Sequence, residues 1–296
     1  MGPAVLPLFL SLLLPQEGSV EQLIERLRSD VIGIREKASR DLLAKGIDVV
    51  AALEPLKGDP DAELAARAQE LLDLLAKKAF DRVEAAVYRV TTLRVRISGS
   101  RAICRGAVTD RLTTSATILI GLIDKASHIA RSERRGEPVE AFDFVSDGFD
   151  MTGHLDSHAE PKTGMTPSNL KEGILAMLLL VGEEPLRETE RRWQLLRRPG
   201  EERPNPRRSC RVSGLSVRKE NARCETLSFC VEGPEVPLGE ASVRLTYDAA
   251  TGVPVKRVLT TVDEDLRPAE FVETFEEFAV NADIPEEKFR LPEEKK

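Results

Sequence analysis

The chain of 296 residues lacks every common catalytic signature: no Gly-x-Ser-x-Gly elbow, no phosphate-cradling glycine loop, no dinucleotide glycine motif and no kinase pattern. Each of those patterns fixes a nucleophile or a bound phosphate at a defined turn, so no catalytic residue and no cofactor is predicted. Gly214-Leu-Ser216 falls in a strand pattern without the flanking geometry of a nucleophile. Cysteine is scarce, and Cys104, Cys210, Cys224 and Cys230 show no CxxC spacing, which argues against zinc and thioredoxin-type redox chemistry. Free buried thiols and structural disulfides both remain open for them. Cys224 and Cys230 would lie roughly 20 Å apart on one regular strand at about 3.3 Å per residue, so they cannot pair with each other. Positive charge is in deficit: 43 basic against 50 acidic residues give a net charge of −7, which argues against nucleic acid as the main partner. There are three histidines. His154 and His158 stand four apart among Asp150, Asp156 and Glu160, a metal pattern if helical, but Gly153 and the missing apolar period read as a polar loop, and no metal is predicted. His128 reads as an ordinary surface or half-buried strand residue.

Long apolar runs are also missing, apart from Ala4 to Leu14 (AVLPLFLSLLL), which falls short of the roughly 20 residues that span a bilayer. The run predicts an export signal over residues 1–16 and a periplasmic or otherwise exported protein. No Lys or Arg precedes it and no small-x-small cleavage site comes after it. A buried helix, or a different start, is the alternative.

The residues that are present fall into two blocks. From Ser19 to about Lys78 the pattern is helical, opening on Ser19-Val-Glu-Gln22, a capping box. Leu23, Ile24 and Leu27 mark the first apolar face, and Ile34, Ala38, Leu42 and Leu43 the second, stopped at Gly46. A third helix is expected over Val49 to Leu56. A fourth opens at Asp59-Pro60 and carries Leu64, Ala68, Leu71, Leu72 and Leu75. Lys37-Ala38 with Leu42 recurs as Arg67-Ala68 with Leu72, so residues 19–78 resemble two HEAT-type helical hairpins, a repeat too short to be stable without docking on the rest of the chain.

After a helical stretch to Thr92 the period changes to two. Leu93, Val95 and Ile97 face one way and Arg94, Arg96 and Ser98 the other, with a turn expected at Ser98-Gly-Ser100. Ser115 to Ile123 reads as a central strand and Phe142 to Ser146 as another, closed at Asp147-Gly148. A helix then starts from Thr166-Pro-Ser-Asn-Leu170, with Ile174 to Val181 apolar throughout, so it must be buried on several sides, dimerised or inserted in an interface. Arg187 to Arg211 sets nine arginines against four glutamates around Trp193, a stretch able to grip lipid phosphates or an acidic partner, or simply a solvated loop. Strands are then expected near Leu215–Lys219, Cys224–Val231, Ala241–Tyr247, Pro254–Val262 and Glu270–Val280. Phe271, Phe275 and Phe278 have helical spacing, which leaves the last of these ambiguous.

Leu93-Arg-Val-Arg-Ile97, the strand Ile118-Leu-Ile-Gly121, Val145-Ser-Asp-Gly148, the apolar helix, Tyr247-Asp-Ala-Ala-Thr-Gly-Val-Pro254 and Asp283-Ile-Pro-Glu-Glu-Lys-Phe289 together resemble LolA-like outer-membrane lipoprotein carriers over residues 79–292. The resemblance implies an α+β fold: an antiparallel half-barrel covered by helices, holding the acyl chains of a lipid or lipoprotein without catalysis. On that reading the lining residues are Val95, Ile97, Ile118, Ile120, Leu227, Phe229, Val243 and Leu245 from strands, with Ile174, Leu175, Leu178 and Leu179 from the helix. Three departures stand beside it: the helical front end, an aromatic content of 4%, and no arginine that matches the lid-locking arginine of the carriers. The alternative is a protein-interaction or structural module with a solidly packed sheet, whose helical segment or Arg187–Arg211 stretch holds a protein partner.

Overall fold

The computed structural model describes residues 18–105, 108–122, 125–154, 162–166, 170–181, 211–233, 240–262 and 267–290. The apolar run at 4–14, Ile123, Asp156, His158, Glu160, Cys210 and the arginine-rich stretch before Arg211 lie outside them. The chain divides into two units, Met1–Leu75 and Ala76–Lys296.

In the first unit the helices are α1 (Val20–Leu27), α2 (Ile32–Lys45), α3 (Val50–Leu53) and the first part of α4 (Ala62–Tyr88). The capping box forms as expected: Gln22 N donates to Ser19 Oγ at 3.3 Å and Ser19 N to Gln22 Oε1 at 3.0 Å. Leu23, Leu27, Ala38 and Leu42 are buried, but Ile34 is exposed, so the apolar stripe of α2 is narrower than its sequence suggested. The expected third helix is broken into two 3₁₀ turns around the single α turn of α3. Pro55 sits in the second of those turns, where its missing N–H interrupts an α ladder. The cap of α4 is Asp61 rather than Asp59: Asp61 Oδ1 accepts from Glu63 N at 3.0 Å and Leu64 N at 3.3 Å. Asp59 instead pairs with Arg28 at 2.7 Å.

The second unit is built on one antiparallel sheet whose described strands are β1 (Leu93–Arg105), β2 (Val108–Ile120), β3 (Lys125–Arg134), β4 (Glu137–Asp147), β5 (Asp150–His154), β6 (Lys162–Met165), β7 (Arg211–Lys219), β8 (Cys224–Glu232), β9 (Glu240–Asp248), β10 (Pro254–Val262) and β11 (Pro268–Val280). Their order is β6-β5-β4-β3-β2-β1-β11-β10-β9-β8-β7, so two meanders are joined where β1 pairs with β11, and β6 and β7 end the order among the described strands. The mixed α+β class and the open antiparallel sheet agree with expectation.

Alternation decides which face is inner. On β1 and β2, Leu93 lies opposite Ile120 and Val95 opposite Ile118, all fully buried, while Arg94 and Arg96 point out. The turn expected at Ser98-Gly-Ser100 does not form, because β1 runs straight through it. Gly99 is needed there for close approach: a Cβ would sit 2.5 Å from the Val272 carbonyl oxygen and 3.0 Å from Thr114 Oγ1. The ambiguous segment is a strand. Arg96 pairs with Glu277 and Ile97 with Phe275, so Glu276 is an extra residue that bulges out and returns Phe278 to the side of Phe275, their rings 5.8 Å apart. That bulge, not a helix, is why three phenylalanines carry helical spacing. His128 is fully buried, its ring edge-on to Phe142 at 5.1 Å and Phe144 at 5.8 Å, rather than at the surface. His154 ends β5 instead of lying in a loop, with Nδ1 2.9 Å from Asp143 Oδ1. Among the described residues no group of three or more His, Cys, Asp or Glu is placed to hold a metal, and no helix is long and apolar enough to cross a membrane.

Candidate functional site

Among the described residues, two helical segments touch the inner face. The residues of α4 beyond Leu75 meet the β8–β9 end: the Phe80 ring stands perpendicular to Phe229 at 5.5 Å, and Arg82 donates to the Ala249 carbonyl at 2.9 Å. Arg82 also lies 3.5 Å from Glu225, which accepts a short hydrogen bond from the hydroxyl of Tyr247. Burial first, and that bond second, push the Tyr247 hydroxyl pKa upward, so it stays a donor. The Asp248-Ala-Ala-Thr-Gly252 turn completes the arrangement. Its Asp248 carboxylate accepts from Arg223 at 2.9 Å, from Thr251 N and Oγ1 at 3.0 Å each and from Ala250 N at 3.1 Å, and is held down to about 2 by Arg223 first and Thr251 next. Gly252 has φ +75°, and a Cβ there would come within 2.9 Å of the Arg82 carbonyl oxygen.

The second segment is the apolar helix. It forms as α5 (Leu170–Ala176) continued by a π turn over Met177–Val181, and it lies against β3 at one end and β9 at the other. Every residue from Gly173 to Leu179 is buried. At its start Lys171 Nζ donates to the carbonyls of Val90 at 2.9 Å and Thr91 at 3.2 Å.

Beneath the π turn lies a charged pair. Arg257 on β10 is 0% exposed and sits opposite Glu273 on β11, itself 5% exposed. Arg257 Nε donates to Glu273 Oε2 at 2.6 Å, its Nη2 is ion-paired with the same oxygen, and its plane lies over the Phe275 ring with Cζ 5.5 Å from the centroid. Its remaining nitrogen, Nη1, turns to the helix and donates to the backbone carbonyls of Met177 at 2.9 Å and Leu178 at 2.5 Å. An unpaired buried guanidinium would be very costly, so the carboxylate is what makes this position tolerable. The π turn, with its i→i+5 bonding, is itself a rare local state that recurs at functional positions.

The twelve residues expected to line a site are all buried, none more than 3% exposed. They form three groups. Val95, Ile97, Ile118 and Ile120 share the inner face of β1 and β2, while Leu227 pairs with Leu245 and Phe229 with Val243 on β8 and β9. From β1 to β9 is three strand spacings, about 14 Å at roughly 4.8 Å each, and the two strands between carry Phe275, Leu259 and the Arg257–Glu273 pair. Ile174, Leu175, Leu178 and Leu179 belong to the helix above. Phe229 differs from the rest, since Phe80 of α4 already packs against it.

Sequence reasoning missed Arg257, Glu273, Tyr247 and Glu225. A signal existed for all four: each stands in phase with buried neighbours, Arg257 with Leu259, Glu273 between Phe271 and Phe275, Tyr247 with Leu245, Glu225 with Leu227. The terminal Ile-Pro-x-x-x-Phe motif serves packing, since Phe289 is buried at the end of a short 3₁₀ turn set against β3 and β4.

No protein-family model and no curated protein matches the chain. Solved structures do. A LolA superfamily protein of Nitrosomonas europaea aligns over 73% of this chain and 97% of its own, at 11% identity and a TM-score of 0.31. A domain described as an outer membrane lipoprotein-sorting protein, from Vibrio parahaemolyticus, aligns over 72% and 97% at 10% identity and 0.32. The Pseudomonas aeruginosa MucA/MucB complex aligns over 73% of this chain and 61% of the matched chain, at 13% identity and 0.23. At these identities and TM-scores the likeness says nothing about cargo or partner. The structural neighbours include LolA superfamily and lipoprotein-sorting proteins, the family that the sequence motifs resemble.

Proposed function

We propose that the protein is a non-catalytic, exported carrier that takes an acyl chain of a lipid or lipoprotein between α5 and the inner face of the sheet, and that the structure is its closed form. The observation that carries this reading is how α5 is secured. A helix buried at every residue from Gly173 to Leu179 is held over the sheet by a fully buried arginine that grips its backbone rather than its side chains. Such a segment can lift as a lid: it leaves behind an apolar surface ready for a hydrocarbon, which gains about 0.8 kcal/mol per buried CH₂.

Native mass spectrometry of gently extracted protein tests the reading directly, with a co-purifying acyl compound expected. Leu178→Glu would place a carboxylate on the lid's buried side, and in a variant that still unfolds cooperatively acyl uptake should fall by at least about tenfold, or about 1.4 kcal/mol. Uptake unchanged in that folded variant would remove the lid from the account. One observation favours a second reading, a solidly packed interaction module: the twelve inner residues are already closed off from solvent. Protein that stays empty when equilibrated with acyl compounds would decide for it.

A further inference from the structure

The three most exposed large apolar side chains described in the second unit stand at one end of its sheet. Leu122, in the turn between β2 and β3, is 58% exposed; Phe149, in the two-residue turn between β4 and β5, is 77% exposed; Met165, which ends β6, is 68% exposed. From the middle of the first hairpin to β6 is three and a half strand spacings, about 17 Å at roughly 4.8 Å each. The opposite end of the same strands is polar: β3 and β4 are joined there by Arg134-Arg135-Gly136-Glu137, all exposed. At the apolar end itself, the turns of the other meander carry the Arg223–Asp248 ion pair. An exposed phenylalanine in a tight turn has no packing role, and a row of such residues marks a surface that meets something apolar.

The polar groups of these turns are already engaged. Asp147 Oδ1 accepts from Phe149 N at 2.8 Å and Asp150 N at 2.9 Å, Ser146 Oγ accepts from Gly148 N at 3.1 Å, and the Phe149 carbonyl accepts from Thr166 N at 2.8 Å. In the neighbouring hairpin the Lys125 carbonyl accepts from Gly121 N at 2.7 Å and the Leu122 carbonyl from Lys125 N at 3.3 Å. A backbone satisfied in this way can leave water at little cost, which is what entry into lipid demands. Three separate side chains fall well short of the roughly 800 Å² that each partner buries in a specific protein interface, whereas a fluid surface accepts them singly. Among the described residues of these turns and the row beside them, Lys125 stands against Asp147 and Asp150, so no excess of positive charge seeks anionic headgroups. We propose that this end of the sheet is a membrane-contact surface, where Phe149, flanked by Leu122 and Met165, enters the interface of a lipid bilayer and holds the protein there by apolar insertion. The proposal stands apart from the acyl-carrier reading, since it needs no movement of α5.

Flotation of the full chain with phosphatidylcholine vesicles tests it. Wild type should rise with the vesicles, and do so equally in about 0.5 M salt, where attraction between exposed charges is screened. Phe149→Ser should lower the vesicle partition coefficient by at least about tenfold, and Leu122→Ser and Met165→Ser by about threefold each. All three positions are exposed, so urea unfolding should be unchanged in these variants. Phe149→Trp should keep binding, and the emission it adds over wild type should move to shorter wavelength when vesicles are added, a signal that only entry of this turn into lipid produces. Wild type that stays with the soluble fraction, or Phe149→Ser that floats as wild type does, overturns the proposal. So does flotation that requires phosphatidylglycerol and is lost in salt, which would assign the contact to basic residues elsewhere. Self-association without flotation, abolished by Phe149→Ser, would give the surface to a second copy of the chain and overturn it as well. Each of these results leaves the acyl-carrier reading where co-purifying cargo puts it.

Discussion

The two helical segments described on the inner face are fixed in opposite senses. Beyond Leu75, α4 reaches down with its own side chains: Phe80 onto Phe229, Arg82 to Ala249 and Glu225. The π turn at the end of α5 is reached from below, by a sheet side chain that holds its carbonyls. The first mode is specific to the residues of the helix and is reinforced by a turn that closes on the Arg82 carbonyl. The second is indifferent to helix sequence, and any other acceptor can replace the one it holds. A contact of that kind is the one to expect where a segment must leave and return.

Arg257→Ala should break the comparison most forcefully. It takes the guanidinium away from the buried Glu273 carboxylate, and breaking a buried ion pair by removing one member costs on the order of 3–5 kcal/mol; it frees the π turn as well. Urea unfolding should register the loss. Hydrogen exchange should place it, with the amides of α5 losing protection while those of α4 between residues 80 and 88 keep theirs. Equal loss in both helices would mean that the arginine supports the whole core rather than one lid. Arg257→Met with Glu273→Leu should recover most of the stability, because both members of the buried pair are replaced by apolar groups.

Tyr247→Phe applies the converse test with a smaller effect. Glu225 is 6% exposed and would keep Arg82 at 3.5 Å but lose its short bond from the tyrosine hydroxyl, which costs about 1–3 kcal/mol for a buried acceptor left short of a partner. The loss of protection should now fall on α4 and the Asp248–Gly252 turn, with α5 unaffected. If α5 loosened instead, the two anchors would be one network and the contrast between them would disappear.

How much of the molecule is legible in its sequence depends on the physics of each signal. Strand alternation is a strong local signal, so β8 to β11 are placed within a few residues and the buried face of β1 is assigned correctly. A β-bulge shifts the alternation by one residue, and so Phe271, Phe275 and Phe278 look helical until Glu276 is seen to stand outside the ladder. The glycine at 99 misleads for a related reason. Glycine marks both turns and close approaches, and only the neighbouring strand, absent from local sequence, tells which. The eight strand residues among the twelve are legible as buried because apolar alternation picks out a buried face, and the charged pair is overlooked because the same criterion discards Arg and Glu. A charge in phase with Leu259 on one strand, and an opposite charge in phase with Phe271 and Phe275 on the next, is a pattern that becomes meaningful only once β10 and β11 are known to be neighbours. The cap of α4 falls two residues late for an ordinary reason: Asp59 and Asp61 are equally good caps, and Arg28 claims the first.

The smallest expected effect concerns the turn that closes on α4. Asp248 holds its carboxyl at about 2, below the ordinary value near 3.9 of an unfolded chain, because Arg223 and then Thr251 hydrogen-bond its charged form. A depressed carboxyl contributes stability that is fully present above the unfolded value and disappears as pH falls through the folded one. Wild type should therefore lose part of its stability between about pH 4 and pH 2, and Asp248→Asn should show a shallower loss over that window. The slope should not vanish, because Asp59 and Asp147 are also held low, by Arg28 and by backbone donors at Asp150 and Phe149 respectively. Urea midpoints measured at the two ends of the window give the comparison directly. An unchanged slope in Asp248→Asn would mean that the turn closes on α4 through Gly252 and its backbone alone, with the carboxylate a spectator at the surface.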